Sequence, residues 1–470
     1  MVTRWDDLPT LSNIIDDVNV KKMDNKNIED FKETVYYFIS DYLNDNIRVY
    51  EKYHFREIIY EDIYKMIIDT YGMNIIFTFT VSIDVIINES LDLYFLITDT
   101  PRSYRKTRLI KEPDIAHVDS IFEKLKTKEQ PEQRTDAWYT FRRNRLTASN
   151  LWKAIDSQAA QNSLIYEKCK PINKKKSCGV NIESPFHQGH KYEPLSILMY
   201  EKMYDTKIGE FGCIKHDTIH FLGASPDGIN IKKTNKRYGR LLEIKNPVSD
   251  RKLNGIPKKE YWVQMQLQME VWDLPECDFL ETRFITYDNE EAFNKDGDFT
   301  KTQLDKDKGV IVQFFDGHEP IYKYPPYGIK KDEFDVWYDK CREQNKELTW
   351  VRNTYWYLDK YSSSLVLRNK AWFDEITPLL RNIWETILKE RETGYEHRAP
   401  KKREKKIVNV IKTDNIKKDV NISKDVNISK DVNISKDEKE VKKPTKVKKP
   451  TKVKKPTKVK KPKMIIQVDI

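Results

Sequence analysis

The sequence contains few cysteines and spaces them widely. Five occur in 470 residues, an odd number with no C-x-x-C pair, at Cys169, Cys178, Cys213, Cys277 and Cys341. This pattern favours reduced thiols inside a cell over a disulfide framework. It also lacks the grouped arrangement of four cysteines that would hold an iron–sulfur cluster.

Long apolar runs are also missing. The segment Met1–Asp7 has no apolar run behind a basic cluster, so we expect no secretory signal and an intracellular protein that is not secreted. The most apolar stretch, Met73–Ile87, is shorter than a membrane span and contains Asn74 and Asp84. We therefore expect no association with a membrane.

The body of the chain has no excess of positive charge. The formal net charge is +10, but residues 439–463 hold 13 Lys and one Glu, so the remaining residues sum to −2. Beyond Pro400 the chain repeats V-N-I-S-K-D and then V-K-K-P-T-K units, which cannot bury enough apolar surface to fold. We predict a disordered tail over residues 401–470. It would either bind nucleic acid through phosphates or serve as a spacer or a nuclear localisation signal.

The rest of the chain divides into three predicted regions. Residues 1–130 alternate short apolar runs with charged clusters, which predicts an α+β N-terminal region of unknown function. Residues 131–290 show helical patterns followed by strands that alternate with turns, as in an α/β domain. In residues 291–400 apolar side chains recur at helical spacing, which predicts a mostly helical extension packed on that domain.

One predicted strand brings a carboxylate and an amine together. In Leu241–Lys245 the two-residue period of a strand puts Glu243 and Lys245 on one face and Leu242 and Ile244 on the other. An ordinary salt bridge at an exposed strand edge is the alternative interpretation, because Glu-x-Lys is common in charged proteins.

A second carboxylate lies upstream of this strand. Asp227 is in the turn Ser225-Pro-Asp-Gly228, which follows a short apolar run. Neighbouring strands would bring Asp227 and Glu243 to one divalent cation. Such an ion prefers carboxylate oxygens and offsets the charge that develops on phosphate during phosphodiester cleavage. Lys245 would then hold and polarise the attacking water.

Two predicted helices add further polar groups. Gly189-His-Lys-Tyr-Glu193 opens a helical pattern, which puts Glu193 near the first turn, where Pro194 is tolerated. Glu193 would be a third carboxylate. A later helix carries Gln264 and Gln268 on one face, where the amides would contact water or phosphate.

A basic block between Gln133 and Ser149 predicts a helix, a turn and the start of another helix. Arg142 and Arg145 fall on one face of the first helix, beside an aromatic residue. Thr147 and Ser149 precede the second helix, where a hydroxyl and free backbone N–H groups would form a phosphate site. The alternative is a capped helix with solvated arginines.

In this order, the blocks resemble the YqaJ viral recombinase family, whose well-understood relatives are the lambda-type phage exonucleases. The resemblance covers Gln133 to Tyr287, about a third of the chain. It implies the PD-(D/E)XK restriction-endonuclease-like α/β core, with a mixed central sheet flanked by helices. It also implies a DNA nuclease that uses Mg²⁺ or Mn²⁺, with two ions per site.

The resemblance implies a role for each matching residue. Asp227 and Glu243 match the metal-binding carboxylates, and Lys245 matches the catalytic lysine. Glu193 matches the helix carboxylate that also serves the metal and helps to place the attacking water, while Gln264 matches the glutamine near the attacked phosphate.

Arg142 and Ser149 match positions that bind the terminal 5′-phosphate of the digested strand. The resemblance therefore implies an exonuclease on double-stranded DNA with free ends, acting in viral recombination, repair or replication. A single-strand annealing protein and a homo-oligomeric ring are the expected partners. Because the family is common in phages and large DNA viruses, the host cytoplasm, a viral factory or the virion is the expected location.

Two departures from the family leave alternatives open. The basic insertion at residues 232–237 would lengthen a hairpin, and the added N-terminal region would block or replace a ring. A structure-specific endonuclease and a non-catalytic DNA-binding or packaging protein with a nuclease fold are the two other hypotheses. The second of these would not need to keep a costly cluster of like charges.

Overall fold

The computed structural model describes residues 25–77, 79–98, 101–104, 112–131, 135–172 and 184–400. The tail predicted over residues 401–470 lies outside these ranges. Within them, the expected mixed central sheet flanked by helices is confirmed.

The described residues of the N-terminal region form helices. These are α1 (Asn25–Asp45), α2 (Phe55–Tyr71), α3 (Ile83–Thr98) and α4 (Ile115–Leu125), with 3-10 turns at Ile47–Glu51 and Met73–Phe77. The α+β prediction therefore needs correction here. Val35, Ile39 and Leu43 are all buried on α1, so their spacing is that of a helix face. None of the helices in the described ranges is long and apolar enough to span a bilayer.

The central region alternates short strands with helices. Its elements in chain order are α5 (Asp136–Arg143), β1 (Leu146–Thr147), α6 (Ala148–Leu151), a 3-10 turn (Trp152–Ile155), α7 (Gln158–Cys169), α8 (Pro185–Tyr204), β2 (Ile208–Gly209), β3 (Ile214–Lys215), β4 (Leu222–Ala224), β5 (Gly228–Asn230), β6 (Leu241–Lys245), α9 (Lys259–Trp272) and β7 (Glu276–Thr286).

The region after β7 is not mostly helical, contrary to the prediction. It contains α10 (Glu290–Lys295), β8 (Lys308–Phe315), β9 (Pro320–Lys323), α11 (Lys331–Gln344), β10 (Thr349–Leu367), α12 (Lys370–Thr393) and a 3-10 turn (Glu396–Arg398). One end of β10 pairs with β7 and the other with β8, so this region continues the central sheet. The helical spacing is confirmed for α11 and α12, whereas the segment between them forms the long strand β10.

Two sheets organise the described residues. The larger has the strand order β2-β5-β6-β7-β10-β8-β9, and the smaller has the order β1-β4-β3. Strands β6 and β7 are parallel, as are β1 and β4, whereas the remaining pairs are antiparallel. Both sheets are needed for the candidate site, because its residues lie on β6 and in the segment between β4 and β5.

Strand β6 is covered on both faces. Leu242 and Ile244 pack in one core cluster with Leu195 and Met199 of α8. Leu241 belongs to a different cluster that includes residues of α9. This arrangement confirms the predicted alternation of β6 and directs its polar side chains towards α9.

Candidate active site

The carboxylates of Asp227 and Glu243 meet where β5 pairs with β6. Asp227 directly precedes β5, and its Oδ2 accepts a hydrogen bond of 2.7 Å from the backbone N–H of Ile244. Its own N–H donates to the Leu242 carbonyl at 3.1 Å. Glu243 is fully buried within β6. The antiparallel pairing of the two strands thus joins two carboxylates that are far apart in the sequence.

Lys245 lies beside these carboxylates. Its Nζ donates a hydrogen bond to Oε1 of Glu243, as expected for side chains on one face of a strand. The ammonium also lies 5.0 Å from the ring centroid of Tyr261 on α9. Because its side chain keeps 24% of its exposure, Lys245 reaches both a buried carboxylate and solvent.

Gln268 of α9 completes the contacts of Glu243. Its Nε2 donates to Oε2 of Glu243 at 2.7 Å and to the Ser225 carbonyl at 3.0 Å. Gln268 therefore links β6 to the segment that carries Asp227. The sequence predicts Gln264 and Gln268 on one face of this helix. The family resemblance implies the catalytic role for Gln264, which lies one turn before Gln268. Among the described residues, Gln264 makes no hydrogen bond to either carboxylate, and its predicted catalytic role stays a prediction.

The site holds more acidic than basic groups. Burial raises the pKa of the Asp227 carboxyl well above its usual range, Glu243 and Glu193 raise it further, and Lys245 lowers it. Burial lowers the pKa of the Lys245 amine, but Glu243 and Asp227 outweigh burial, so this pKa ends above its ordinary value. One ammonium thus faces several carboxylates, an arrangement that favours a further cation.

A cleft of about 1160 Å³ opens over these groups. Asp227, Lys245 and Glu193 all line it. Its wall also includes Arg251, which forms an ion pair with Glu281 of β7. Arg251 lies in the segment between β6 and α9, and no local sequence pattern distinguishes it from other surface arginines.

Glu193 reaches the cleft from the interior of a helix, not from its first turn as predicted. Helix α8 begins at Pro185, where the Ser184 hydroxyl caps it by accepting from the His187 N–H at 3.2 Å. Pro194 therefore lies inside the helix. The Ser-Pro pair is a start signal that the sequence interpretation overlooked.

The three carboxylates do not form a compact metal-binding group in this conformation. Across the described ranges, no set of three or more His, Cys, Asp and Glu side chains lies close enough to hold an ion. Asp227 and Glu243 are adjacent, but Lys245 and Gln268 engage the two oxygens of Glu243. An ion shared by this pair would use the Glu243 carboxylate together with Lys245 and Gln268, since each carboxylate oxygen can accept more than one contact.

Arg142 and Ser149 are brought together as predicted. The Arg142 Nη2 donates to the Ser149 Oγ at 3.3 Å, and its guanidinium lies 4.6 Å from the ring centroid of Trp138. Ser149 is exposed. The pair therefore offers a guanidinium and a hydroxyl to an anion.

Arg145 and Thr147 do not join this pair. Helix α5 ends at Arg143, so Arg145 lies beyond the helical period and packs 3.6 Å from the Phe141 ring centroid. Thr147 is buried, and both its backbone N–H and its hydroxyl donate to Oδ1 of Asn150. Helix α6 is only four residues long, so the predicted phosphate site at a helix start also needs correction.

Comparison with known proteins identifies the segment that carries these groups. Residues 137–275 match the YqaJ-like viral recombinase domain. This part of the chain is therefore similar to that family's domain. The match includes every site residue named above except Glu281, and it confirms the family resemblance.

A curated relative extends beyond this domain. Uncharacterized protein R354 of Acanthamoeba polyphaga mimivirus is 29% identical over 346 residues. The match covers 65% of this chain and 61% of the relative. The chain thus spans under two thirds of that protein's length.

Two solved structures show weaker likeness. The alkaline exonuclease from Laribacter hongkongensis is 20% identical, with a TM-score of 0.31 over 56% of this chain and 95% of its own. A phage-related exonuclease from Haemophilus somnus 129PT is 13% identical, with a TM-score of 0.27 over 52% of this chain and 96% of its own. Scores this low carry no argument about this chain.

Proposed function

We propose that the chain is a metal-dependent deoxyribonuclease of the PD-(D/E)XK type, which digests DNA from 5′ ends. The observation that carries this proposal is the meeting of Asp227, Glu243 and Lys245 beside one cleft, which Asp227 and Lys245 line, within the segment that matches a YqaJ-like domain.

The residues present fit a hard divalent cation. Asp227 and Glu243 offer carboxylate oxygens, which Mg²⁺ and Mn²⁺ prefer. Burial raises the pKa of Asp227, and the nearby Glu243 and Glu193 raise it further, so a bound cation would stabilise the charged carboxylate. Glu193 on the cleft wall is a further carboxylate that a second ion would use. When bound, the metal would offset charge on the attacked phosphate.

Each side chain then has a separate task. Asp227 and Glu243 would hold the cation, and Gln268, which donates to Glu243, would fix the orientation of that carboxylate. The Lys245 ammonium, which reaches the cleft, would donate a hydrogen bond to the attacking water or to a phosphate oxygen. Glu193, which lines the same cleft, would orient the water.

The pair of Arg142 and Ser149 supports a preference for DNA ends. A terminal phosphate carries more charge than an internal diester, so a guanidinium beside a hydroxyl favours it. We propose DNA with a 5′-phosphate as the substrate, within viral recombination or repair. From the family resemblance we also propose a single-strand annealing protein as partner, a homo-oligomer and an intracellular location.

Dependence on a metal is the test of the chemistry. Wild-type protein should digest linear DNA with Mg²⁺ or Mn²⁺ and stop when a chelator is added. Titration calorimetry of Mn²⁺ into the DNA-free protein should show binding that Asp227→Asn removes, which is a readout separate from activity. Efficient cleavage in excess chelator would rule out the metal mechanism.

Recognition of the 5′ end has its own test. Arg142→Ala should slow digestion of 5′-phosphorylated DNA more than digestion of the same DNA with a 5′-hydroxyl. Loss of one charge-assisted contact of about 2 kcal/mol corresponds to a digestion rate about thirtyfold lower on the phosphorylated substrate. Arg145→Met is the matched control and should leave the ratio of the two rates unchanged, because Arg145 packs on Phe141. Equal slowing of both substrates by Arg142→Ala would favour a structure-specific endonuclease.

A further inference from the structure

A cluster of cations surrounds the turn between α5 and β1. Arg391 of α12 donates from Nη2 to the carbonyls of Arg143 and Lys168, at 2.7 and 2.9 Å. Arg143 donates to the Cys169 carbonyl at 2.9 Å, and Lys168 donates to the Arg142 carbonyl at 2.7 Å. Carbonyl groups orient these cations but do not neutralise them.

This positive charge has no carboxylate partner. Within the described part of the chain, none of Arg142, Arg143, Lys168 and Arg391 forms an ion pair. Burial lowers the pKa of Lys168 to about 7, and the neighbouring Arg142 lowers it as well. The pKa of Arg391 is also lowered by burial and by Arg143. An anion beside the cluster would favour the charged forms of these groups, because an opposite charge counteracts both burial and the repulsion between cations.

A line of stacked side chains continues from this cluster along α12. Phe221 and Trp384 stack with ring centroids 5.7 Å apart and planes 10° apart. Arg381 lies 6.0 Å from the Phe221 centroid, and Arg391 lies 5.4 Å from the Trp384 centroid. We call these four residues the arginine–aromatic ladder. Arg381 and Arg391 are ten positions apart on one helix, or about 15 Å, which spans several nucleotides of a strand.

Strand β4 relates the ladder to the candidate active site. Phe221 directly precedes β4, whereas Asp227 follows it. The Leu146 N–H donates to the Phe221 carbonyl at 2.7 Å, and β1 then runs parallel to β4 towards Ser149. The ladder therefore lies at the end of β4 opposite Asp227, and Ser149 lies towards the Asp227 end.

We propose that the arginine–aromatic ladder binds the single-stranded 3′ tail that digestion of the other strand exposes. The inference rests on the proposed function. With the 5′-phosphate at Arg142 and Ser149, the cut strand runs towards Asp227. The complementary strand continues beyond the 5′ terminus, away from Asp227. Because the ladder lies at the end of β4 opposite Asp227, this direction leads towards the ladder. Guanidinium groups would contact its phosphates, and the aromatic edges would meet its bases.

Binding in the presence of a chelator tests the ladder without any cleavage. The full chain is titrated with a 5′-phosphorylated duplex that is blunt, and with the same duplex bearing a 3′ extension of about 12 nucleotides. Wild-type protein should bind the extended duplex more tightly. Arg381→Gln should weaken that binding roughly fivefold and reduce its salt slope by about one, but leave blunt binding unchanged.

Three further variants sharpen the result. Arg342→Gln is the matched control, because Arg342 also lies over aromatic rings, Tyr338 and Trp350, in a different part of the chain. Arg342→Gln should change neither the affinity for the blunt duplex nor the affinity for the extended duplex. Trp384→Leu should weaken extended binding as Arg381→Gln does, and Glu385→Gln, which removes an acid one turn from Arg381, should strengthen it.

Two outcomes would overturn the proposal. One is that the 3′ extension adds no affinity in the wild type, and the other is that it adds the same affinity in wild type and Arg381→Gln. Failure of the proposed nuclease function would look different. In that case no linear DNA would be cut when Mg²⁺ is present, whatever the binding experiment gives.

Discussion

Replacing Gln268 by leucine should impair catalysis far more than it impairs folding. The change removes a charge-assisted hydrogen bond to Glu243 and a neutral one to the Ser225 carbonyl, which contribute about 1.5–3 and 0.5–1.5 kcal/mol. It also removes the Gln268 Oε1, which is buried without a partner and costs about 1–3 kcal/mol. We therefore expect a net loss of about 1–2 kcal/mol in the free energy of unfolding.

The catalytic effect should be larger, because Glu243 loses the group that orients it. Removing the hydrogen-bond partner of a metal-binding carboxylate costs about 10–100-fold in activity or metal affinity. Gln266→Leu is the matched control. Gln266 is also buried on α9, but it bonds the Leu367 carbonyl and the Asn369 N–H, away from both carboxylates.

The assay compares denaturant unfolding with the initial rate of digestion of a linear DNA. Gln266→Leu should lose stability and keep its activity per folded molecule, whereas Gln268→Leu should lose both. If Gln268→Leu keeps full activity and behaves like Gln266→Leu, then Gln268 does not orient a catalytic group, and the assignment of Glu243 as a metal ligand is weakened.

Three further predictions concern strands β5 and β6 and Asp227, which directly precedes β5. Glu243→Gln and Lys245→Ala should each abolish turnover, and the double variant should be no worse than either one, because both groups act in one step; separate kinetic losses that add would contradict this. In the metal-free protein the pKa of Asp227 is raised, so the folded state binds the proton more tightly than the unfolded chain does. The free energy of unfolding should therefore fall as the pH rises from the ordinary pKa of Asp towards the raised pKa of Asp227. Asp227→Asn should therefore unfold at a higher temperature than wild type at neutral pH, with a difference that vanishes in acid; a difference independent of pH would refute the cause. A Cβ at Gly228 would lie 2.2 Å from Ile208 Cγ2, so Gly228→Ala should cost about 1–3 kcal/mol and most of the activity. Adding Ile208→Ala should restore the activity per folded molecule but not the stability, because Ile208 is itself buried, and an absence of rescue would argue against this contact as the cause.

The core of the candidate site could be predicted because its signals are local. The two-residue period of β6 fixes which side chains share a face, and the short interval to Asp227 makes a neighbouring strand the simplest arrangement. The same holds for Arg142 and Ser149, which are separated by only seven residues.

Other features depend on pairings that the local sequence does not contain. Strand β10 joins β7 to β8 across long intervals, so its residues could be assigned to the central sheet only from the fold. Short apolar runs such as Val35–Ile39 fit a strand or a helix equally well until their neighbours are included. Gln264 and Gln268 lie on one helix face, and only the contact with Glu243 distinguishes them.

The most direct test of the proposed function compares three DNA substrates in Mg²⁺ under identical conditions. They are a linear duplex with 5′-phosphates, the same duplex with 5′-hydroxyls and a covalently closed circle of matching sequence. The proposal predicts rapid digestion of the phosphorylated linear duplex, slower digestion of the hydroxyl form, no nicking of the circle, and no activity at all for Asp227→Asn. Ready nicking of the closed circle by the wild type, or undiminished cutting by Asp227→Asn, would contradict a metal-dependent nuclease that begins at 5′ ends.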